Sequence, residues 1–467
     1  VFRMKKKPEQ KHIKYYWFRK YVVFFFKLYF PHVYSINQKN VLPEGTANVM
    51  VGCHQATFID ALAPSLLLSD RRTRGLLRSD VFSIPVISWF VKKLGMYPIA
   101  RLNFEGAEAM EKYNDKSLNS AADAINAGHT LIMFPEAGHQ QGHYLGTLSH
   151  SFVRIAMNAA EKEGFKRDVY ITPYAHHYAN YYHPFYDMMV MFGEPLNLAP
   201  YYDKYNTRPR TTRRQISDEI KRRISALMLD IHDKEHYKGI SYILDSAFGA
   251  NFCDENGGNH TFLPDKLKSE KELVAQIENL GIEDTETITP LLLEAENIDK
   301  SIHNLGLRDW LFEFKHHLSF AIIGTLLSLI LLPLAAISWL LTFPVYLLPY
   351  IVKTRRINGM VDPMFSSTCD FVGTIIFTYP IFGVLPVIPL LFYFSWYALL
   401  YPVISLLMIL FVCRYQRLVV KTLGLLRYCF HKKDVENIAD RRRLLFKKLR
   451  KLIKPFHLTK EDDITSL

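Results

Sequence analysis

With 467 residues, 57 lysines and arginines against 45 aspartates and glutamates, and a formal net charge of +12, the chain is long enough for two or three structural units. Five cysteines (Cys53, Cys253, Cys369, Cys413 and Cys429) form neither a CxxC pair nor a Cys/His finger spacing, which excludes a disulfide scaffold and a finger-type zinc site and indicates reduced thiols. The positive charge crowds the two ends of the chain and the flanks of apolar runs, a distribution that suits a membrane surface and argues against a nucleic-acid partner.

Residues 1–43 are expected to form an interfacial, membrane-binding helix. Lys14–Phe30 is aromatic and basic together, and its uncharged run falls well short of the roughly 20 residues a spanning helix needs. The alternative is an ordinary amphipathic core helix. The apolar stretch Tyr21–Phe26 runs into Lys27 and Pro31 with no small-residue cleavage site, so no secretory signal is expected there.

Over residues 44–211, short β-rich runs alternate with helical patterns. The β-runs are Ala47–Gly52, Met96–Ala100, Thr130–Phe134, Val169–Tyr174 and Met188–Phe192. The helical candidates are Phe58–Leu68, Pro85–Leu94, Gly106–Asn126 and Ser151–Glu163. This alternation predicts an α/β domain built on a mixed, mostly parallel sheet flanked by helices. Residues 212–310 read as a helical soluble segment that carries no chemistry, including Lys266–Leu280 and Thr285–Leu305.

Residues 311–430 hold two long apolar runs, Leu318–Val352 and Phe371–Val412, interrupted by prolines such as Pro333, Pro344, Pro386 and Pro389. Each is about twice the length of one span and is expected to fold as a transmembrane or re-entrant hairpin. Lys315, Lys353, Arg355, Arg356, Arg414 and Arg417 flank the runs. By the excess of cations on cytoplasmic loops, an integral membrane protein with its catalytic domain and both termini in the cytoplasm is expected, at the inner membrane if bacterial. Residues 431–467 form a basic amphipathic cytosolic tail, and its stretch Arg441–Lys454 is expected to lie on an anionic membrane surface.

Four short blocks carry potential chemistry. In Cys53-His54-Gln55-Ala56-Thr57-Phe58-Ile59-Asp60 a histidine closes a β-run and an aspartate opens a helix. A carboxylate there can accept the Nδ1 proton and leave Nε2 as a base, in the crevice where α/β sheets bind ligands. Phe134-Pro135-Glu136-Ala137-Gly138-His139 is a polar turn at a strand end, where backbone amides can approach a phosphate or hydroxyl and Glu136 can orient a substrate hydroxyl. Met96–Arg101 ends a strand in a guanidinium, a planar donor fork for phosphate. Val169–Tyr174 contains Pro173, which predicts a strand edge or bulge beside a cleft, with His176 and His177 just beyond. Taken singly, each has an ordinary structural reading: a structural histidine, a connecting turn, a solvated arginine, a strand bulge.

Together, in this order and spacing, the four blocks resemble the phospholipid/glycerol acyltransferase superfamily over roughly residues 14–200. The resemblance implies the glycerolipid acyltransferase fold followed by a helical transmembrane region. It implies His54 as general base, Asp60 as its orienting carboxylate, Arg101, Glu136, Ala137 and Gly138 as binders of a glycerol phosphate, and Pro173 as part of the substrate wall. It implies no cofactor and no metal, with acyl-CoA or acyl-ACP as co-substrate and membrane lipid as partner. The first block here is H-x5-D where the family's is H-x4-D, a variant similar to fungal-type glycerol-3-phosphate acyltransferases. Ala137 stands where the family has glycine, and Cys53 where asparagine is frequent. The longer spacing inclines the acceptor towards glycerol-3-phosphate, with the 1-acyl form as the alternative; backbone amides near the histidine are expected to hold the oxyanion. The rival readings are a metal-dependent hydrolase using His54, His139, His143, Glu136 and Asp60, a thiol enzyme using Cys53, and a non-catalytic lipid-binding scaffold.

Overall fold

In a computed structural model of the chain, residues 13–68, 73–83, 85–100, 115–136, 142–180, 183–357, 368–459 and 463–467 are described. The chain divides into two compact units, residues 1–228 with 362–368 and 461–467, and residues 229–361 with 369–460.

The first unit is built on one sheet. Its strands are β1 (Val33–Ile36), β2 (Ala47–Gly52), β3 (Thr73–Arg78), β4 (Met96–Ile99), β5 (Thr130–Met133), β6 (Val169–Tyr178), β7 (Met188–Phe192), β8 (Leu196–Asn197) and β9 (Ile464–Ser466). The order is β4-β3-β5-β2-β6-β7-β1-β9, with β8 also beside β6. Five pairings are parallel (β3–β4, β3–β5, β2–β5, β2–β6 and β1–β7), and β6–β7, β6–β8 and β1–β9 are antiparallel. The sheet is therefore mixed and mostly parallel. Strand β2 lies near its middle with every residue buried, which is why its sequence is a nearly unbroken apolar run instead of an alternating one.

Helices α1 (Ile13–Tyr29), α2 (Phe58–Leu67), α3 (Pro85–Lys93), α4 (described over 115–126), α5 (Ser151–Lys162), α6 (Tyr202–Thr207) and α7 (Pro209–Leu227) complete this unit. Helix α5 buries Phe152, Ile155, Ala156 and Ala159, a stripe at helical spacing. Gly128, at φ +85°, turns α4 into β5, and a Cβ there would meet the backbone of Gly45.

Three expectations change or narrow. The helical segment expected from residue 212 begins one helix later, because α7 buries Ile216, Ile220 and Ile224 in the first unit, so the division falls after Met228. Pro173 is on no sheet edge but faces a bulge, the other feature expected there: β2 pairs with β6 at Val51↔Pro173, and on the other side the two residues between Ile171↔Leu196 and Tyr174↔Phe192 oppose three, with Gly193 N–H donating to the Pro173 carbonyl at 2.8 Å. A proline is tolerated in a central strand there because no ladder hydrogen bond from its nitrogen is needed. Helix α1 is partly a core helix: Val22, Phe25 and Phe26 are buried, while Trp17 and Phe24 stay exposed on its other side.

The second unit is helical. It contains α8 (Tyr237–Asp245), α9 (Ala247–Glu255), α10 (Leu263–Glu283), α11 (Thr285–Asn304), α12 (His317–Ile357), a wide-turned π-helical segment Cys369–Val384, α13 (Val387–Phe394), α14 (Tyr401–Phe430) and α15 (Lys432–Leu452). The first apolar run is not a hairpin. Helix α12 continues for 41 residues through Pro333, Pro344 and Pro349, about 60 Å at 1.5 Å per residue, and so carries Lys315 and Lys353 to opposite ends. Its partners run backwards along the second apolar run: Gly324 lies against Thr422, Tyr415 OH donates to the Ser328 carbonyl at 3.1 Å, Thr378 Oγ1 to that of Val345 at 2.7 Å, and Gly373 lies against Pro349. The two apolar runs thus form one antiparallel pair. His317–Leu347 and Cys369–Phe430 are long and apolar enough to cross a membrane, and most of each apolar window is exposed.

The basic tail also differs from expectation. Helix α15 packs on α11 and buries Val435, Ile438, Leu445 and Leu449, so the apolar face read as membrane-binding is covered by protein.

Candidate active site

Strands β5, β2 and β6 are adjacent and parallel, so the chain leaving each of them emerges at one edge of the sheet. His54 follows β2 and Glu136 follows β5, while the last residues of β6 run past the end of β2. The sequence is small where the strands must approach: a Cβ on Gly52 would collide with the Tyr174 ring.

His54 and Asp60 meet as expected. His54 Nδ1 lies 3.0 Å from Asp60 Oδ2, which fixes the proton on Nδ1 and leaves Nε2 as the basic nitrogen. The His54 side chain is 15% exposed and Asp60 fully buried, so the ring is reachable from solvent while its partner is not. Phe134 stacks on the His54 ring at 4.3 Å between centroids and 11° between planes, setting the imidazole plane.

The carboxylate is held on both oxygens. Oδ2 also accepts the N–H of Gln55 at 2.8 Å and of Ala56 at 2.7 Å, and Oδ1 accepts the Tyr178 hydroxyl at 2.6 Å. His176 Nδ1 stands 3.8 Å from Oδ1. Burial pushes the Asp60 carboxyl up, but the facing charges of His176 and His54 and the hydrogen bonds from His54 and Tyr178 outweigh it and carry it below its ordinary value. For His176, burial dominates and pushes the imidazole down despite Asp60.

Glu136 is buried, and its carboxylate braces the loops. Oε1 accepts the His54 N–H at 2.7 Å and Oε2 the Gly146 N–H at 3.1 Å. The amides of residues 54, 55 and 56 are therefore all bound to Glu136 or Asp60, so these three are not the amides that would receive an oxyanion. Thr57 follows with φ +55° and ψ −118°, a sparsely populated conformation for a β-branched residue, and its hydroxyl bonds that of Thr368, which also donates to the Ala56 carbonyl at 3.1 Å.

Pro173 lies in β6, one residue before Tyr174, and is buried. Arg101, Ala137 and Gly138 lie outside the described residues, as does His139. Strand β4, which precedes Arg101, ends at the same sheet edge three strands from β2, about 14 Å at the usual strand spacing. Among the described residues no three His, Cys, Asp or Glu side chains gather with metal-ligand geometry. Cys53 is buried, and burial, reinforced by Glu136, pushes its thiol well above the ordinary range, away from thiolate chemistry.

Sequence reasoning missed Tyr178 and the ring role of Phe134. The signal for Tyr178 lay in strand periodicity: residues 174, 176 and 178 of one strand share a face, and a strand parallel to β2 and longer than it must carry that face past His54.

Residues 33–177 match the family model described as Acyltransferase. Among solved structures, the 1-acyl-sn-glycerophosphate (LPA) acyltransferase PlsC from Thermotoga maritima is similar at 15% identity with a TM-score of 0.33, covering 47% of this chain and 83% of that one. No curated protein matches the chain.

Proposed function

We propose, from the acyltransferase domain that residues 33–177 form, that this protein is a membrane-bound glycerolipid acyltransferase transferring a fatty acyl group from acyl-CoA or acyl-ACP to glycerol-3-phosphate. The observation that carries the reading is a partly exposed His54 whose Nδ1 is held by a fully buried Asp60 inside the matched residues. His54 Nε2 takes the proton of an acceptor hydroxyl as its oxygen attacks the thioester carbonyl. The carbon–sulfur bond breaks, and the departing thiolate recovers a proton from the imidazolium. Asp60 stabilises that imidazolium, and positioned base catalysis of this kind contributes about 10²–10⁴ in rate.

In this reading Arg101 holds the acceptor phosphate, and the turn Glu136, Ala137 and Gly138 with Pro173 walls the acceptor and the acyl donor. Glu136 acts through the loop it braces. Helix α12 and the antiparallel run beside it anchor the protein in the bilayer, with the catalytic domain and both termini in the cytoplasm. The longer H-x5-D spacing favours glycerol-3-phosphate over its 1-acyl form as acceptor.

The test is acyl transfer by the detergent-solubilised full-length protein to labelled glycerol-3-phosphate and, separately, to its 1-acyl form, with each donor. Transfer to glycerol-3-phosphate that falls about 10²–10⁴-fold in His54→Ala is the expected result. Transfer to the 1-acyl form alone moves the acceptor, and a wild type inactive on both or an equally active His54→Ala overturns the reading.

A further inference from the structure

The catalytic reading accounts for one oxygen of Asp60; the other is held by a strand that the family blocks leave behind at Tyr174. We propose that Tyr178 is a positioning residue for the His54–Asp60 pair, holding Asp60 Oδ1 so that Oδ2 faces His54. The proposal rests on the acyltransferase reading above.

Three donors converge on Oδ2, the His54 ring and the amides of Gln55 and Ala56. A carboxylate without solvent contact needs its second oxygen compensated too, and Oδ1 receives a hydrogen bond from the Tyr178 hydroxyl at 2.6 Å. That length lies in the range of a hydroxyl bound to an ionised carboxylate. The neighbouring His176 is too far for a hydrogen bond at 3.8 Å, and its ring nitrogens have no hydrogen-bond partner among the described residues. The Tyr178 ring is itself placed from two sides. Its strand pairs with β7 at Tyr178↔Met188, and Phe30, just past α1, packs on it at 6.2 Å.

The titratable groups facing Asp60 are His54 and Cys53 from the loop after β2, Glu136 from the loop after β5, and Tyr174, His176 and Tyr178 from β6. Removing the Tyr178 hydroxyl raises the carboxylate's proton affinity and concentrates its charge on Oδ2. The first change makes Asp60 easier to protonate, the second makes His54 harder to deprotonate. Both move the acid limb of the pH–rate profile to higher pH.

The experiment uses full-length protein in detergent and follows acyl transfer to glycerol-3-phosphate and its 1-acyl form across pH, for wild type, Tyr178→Phe and Tyr174→Phe. Tyr178→Phe is expected to lower kcat about tenfold, as for loss of one hydrogen bond to a charged group, with KM for both substrates little changed and the acid limb moved up. Tyr174→Phe removes a buried hydroxyl that has no hydrogen-bond partner among the described residues and leaves the limb in place. Should Tyr178→Phe fail to fold, 3-fluorotyrosine at position 178 keeps the shape with a stronger donor and must move the limb down. A uniform loss at every pH with an unmoved limb, or an unmoved limb with the fluorinated residue, overturns the Tyr178 proposal alone. A wild type inactive on both acceptors, or an unaffected His54→Ala, overturns the acyltransferase reading and this proposal with it.

Discussion

Two carboxylates, one in each unit, are solvated by nearly the same protein groups and serve different ends. Asp60 takes a tyrosine hydroxyl on Oδ1 and two backbone amides on Oδ2; Asp309 takes a tyrosine hydroxyl on Oδ1, from Tyr242 at 2.8 Å, and one amide on Oδ2, the Ala247 N–H at 3.1 Å. They differ in the cation. Asp60 faces His54, which can gain and lose a proton, whereas Asp309 receives two bonds at 2.8 Å from the Arg442 guanidinium, which cannot. Arg442 also reaches Glu313 at 2.7 Å and lies over the Phe312 and Phe446 rings. A carboxylate bound to a permanent charge can only hold helices together. One bound to an imidazole can stabilise a charge that appears during reaction.

The largest expected effect tests the Asp60 half of that contrast. Asp60→Asn keeps the volume but puts an amide NH₂ where an oxygen had accepted, so either the Tyr178 hydroxyl or the donors on Oδ2 meet another donor, and the imidazole loses the partner that fixes its tautomer. Acyl transfer should fall about 10⁴-fold, with the protein still folded by circular dichroism and gel filtration. A loss below about tenfold would mean that the carboxylate does not serve the base, and the contrast with Asp309 would collapse.

The opposite half predicts stability without chemistry. Arg442→Met leaves Asp309 largely buried with only a phenol and an amide, and should cost about 3–5 kcal/mol in denaturant unfolding of the helical unit. Adding Asp309→Leu should restore most of that loss, since removing both charges removes the desolvation penalty. Transfer per folded molecule should stay at the wild-type level in both. If Arg442→Met reduces activity while the midpoint of unfolding stays fixed, the assignment of this pair to structure fails.

These assignments show which parts of the molecule were legible beforehand. The parallel core was, because buried strands such as β2 and β5 write an unbroken apolar run, and His54 and Glu136 follow strand ends that any α/β sheet turns into a crevice, with Asp60 in the first turn of the helix after His54. Strands β1, β3 and β9 were not. β9 joins the sheet from the far C-terminus by pairing with β1, and no local pattern announces so distant a partner. The interior prolines of α12 suggested a break, yet the helix continues through them, as apolar helices packed on neighbours tolerate. Helix α15 misled for the opposite reason. An apolar stripe among cations reads alike whether it meets lipid or protein, and only Glu294, Asp309, Glu313 and Glu255, placed to receive Arg441, Arg442 and Arg450, distinguish the two.

Another buried carboxylate, Glu270 on α10, sharpens the contrast through pH. Its partner is Lys266 one turn away, with Nζ 3.4 Å from Oε1. Burial raises the Glu270 carboxyl, Lys266 opposes the rise and Asp245 adds to it, leaving it at about 7 against an ordinary 4.5. Folded protein therefore holds a proton between 4.5 and 7 that the unfolded chain has released. The stability this lends is complete below 4.5, falls as pH rises through the window, and is gone above 7. Glu270→Gln mimics the protonated form at every pH. Its denaturant midpoint should gain on wild type across that window and hold a constant lead above it. A gap that stays constant through the window would mean that Glu270 titrates like an exposed carboxylate. Lys266 would then be as effective a partner as Arg442, and burial would not separate fixed from titratable pairs in this protein.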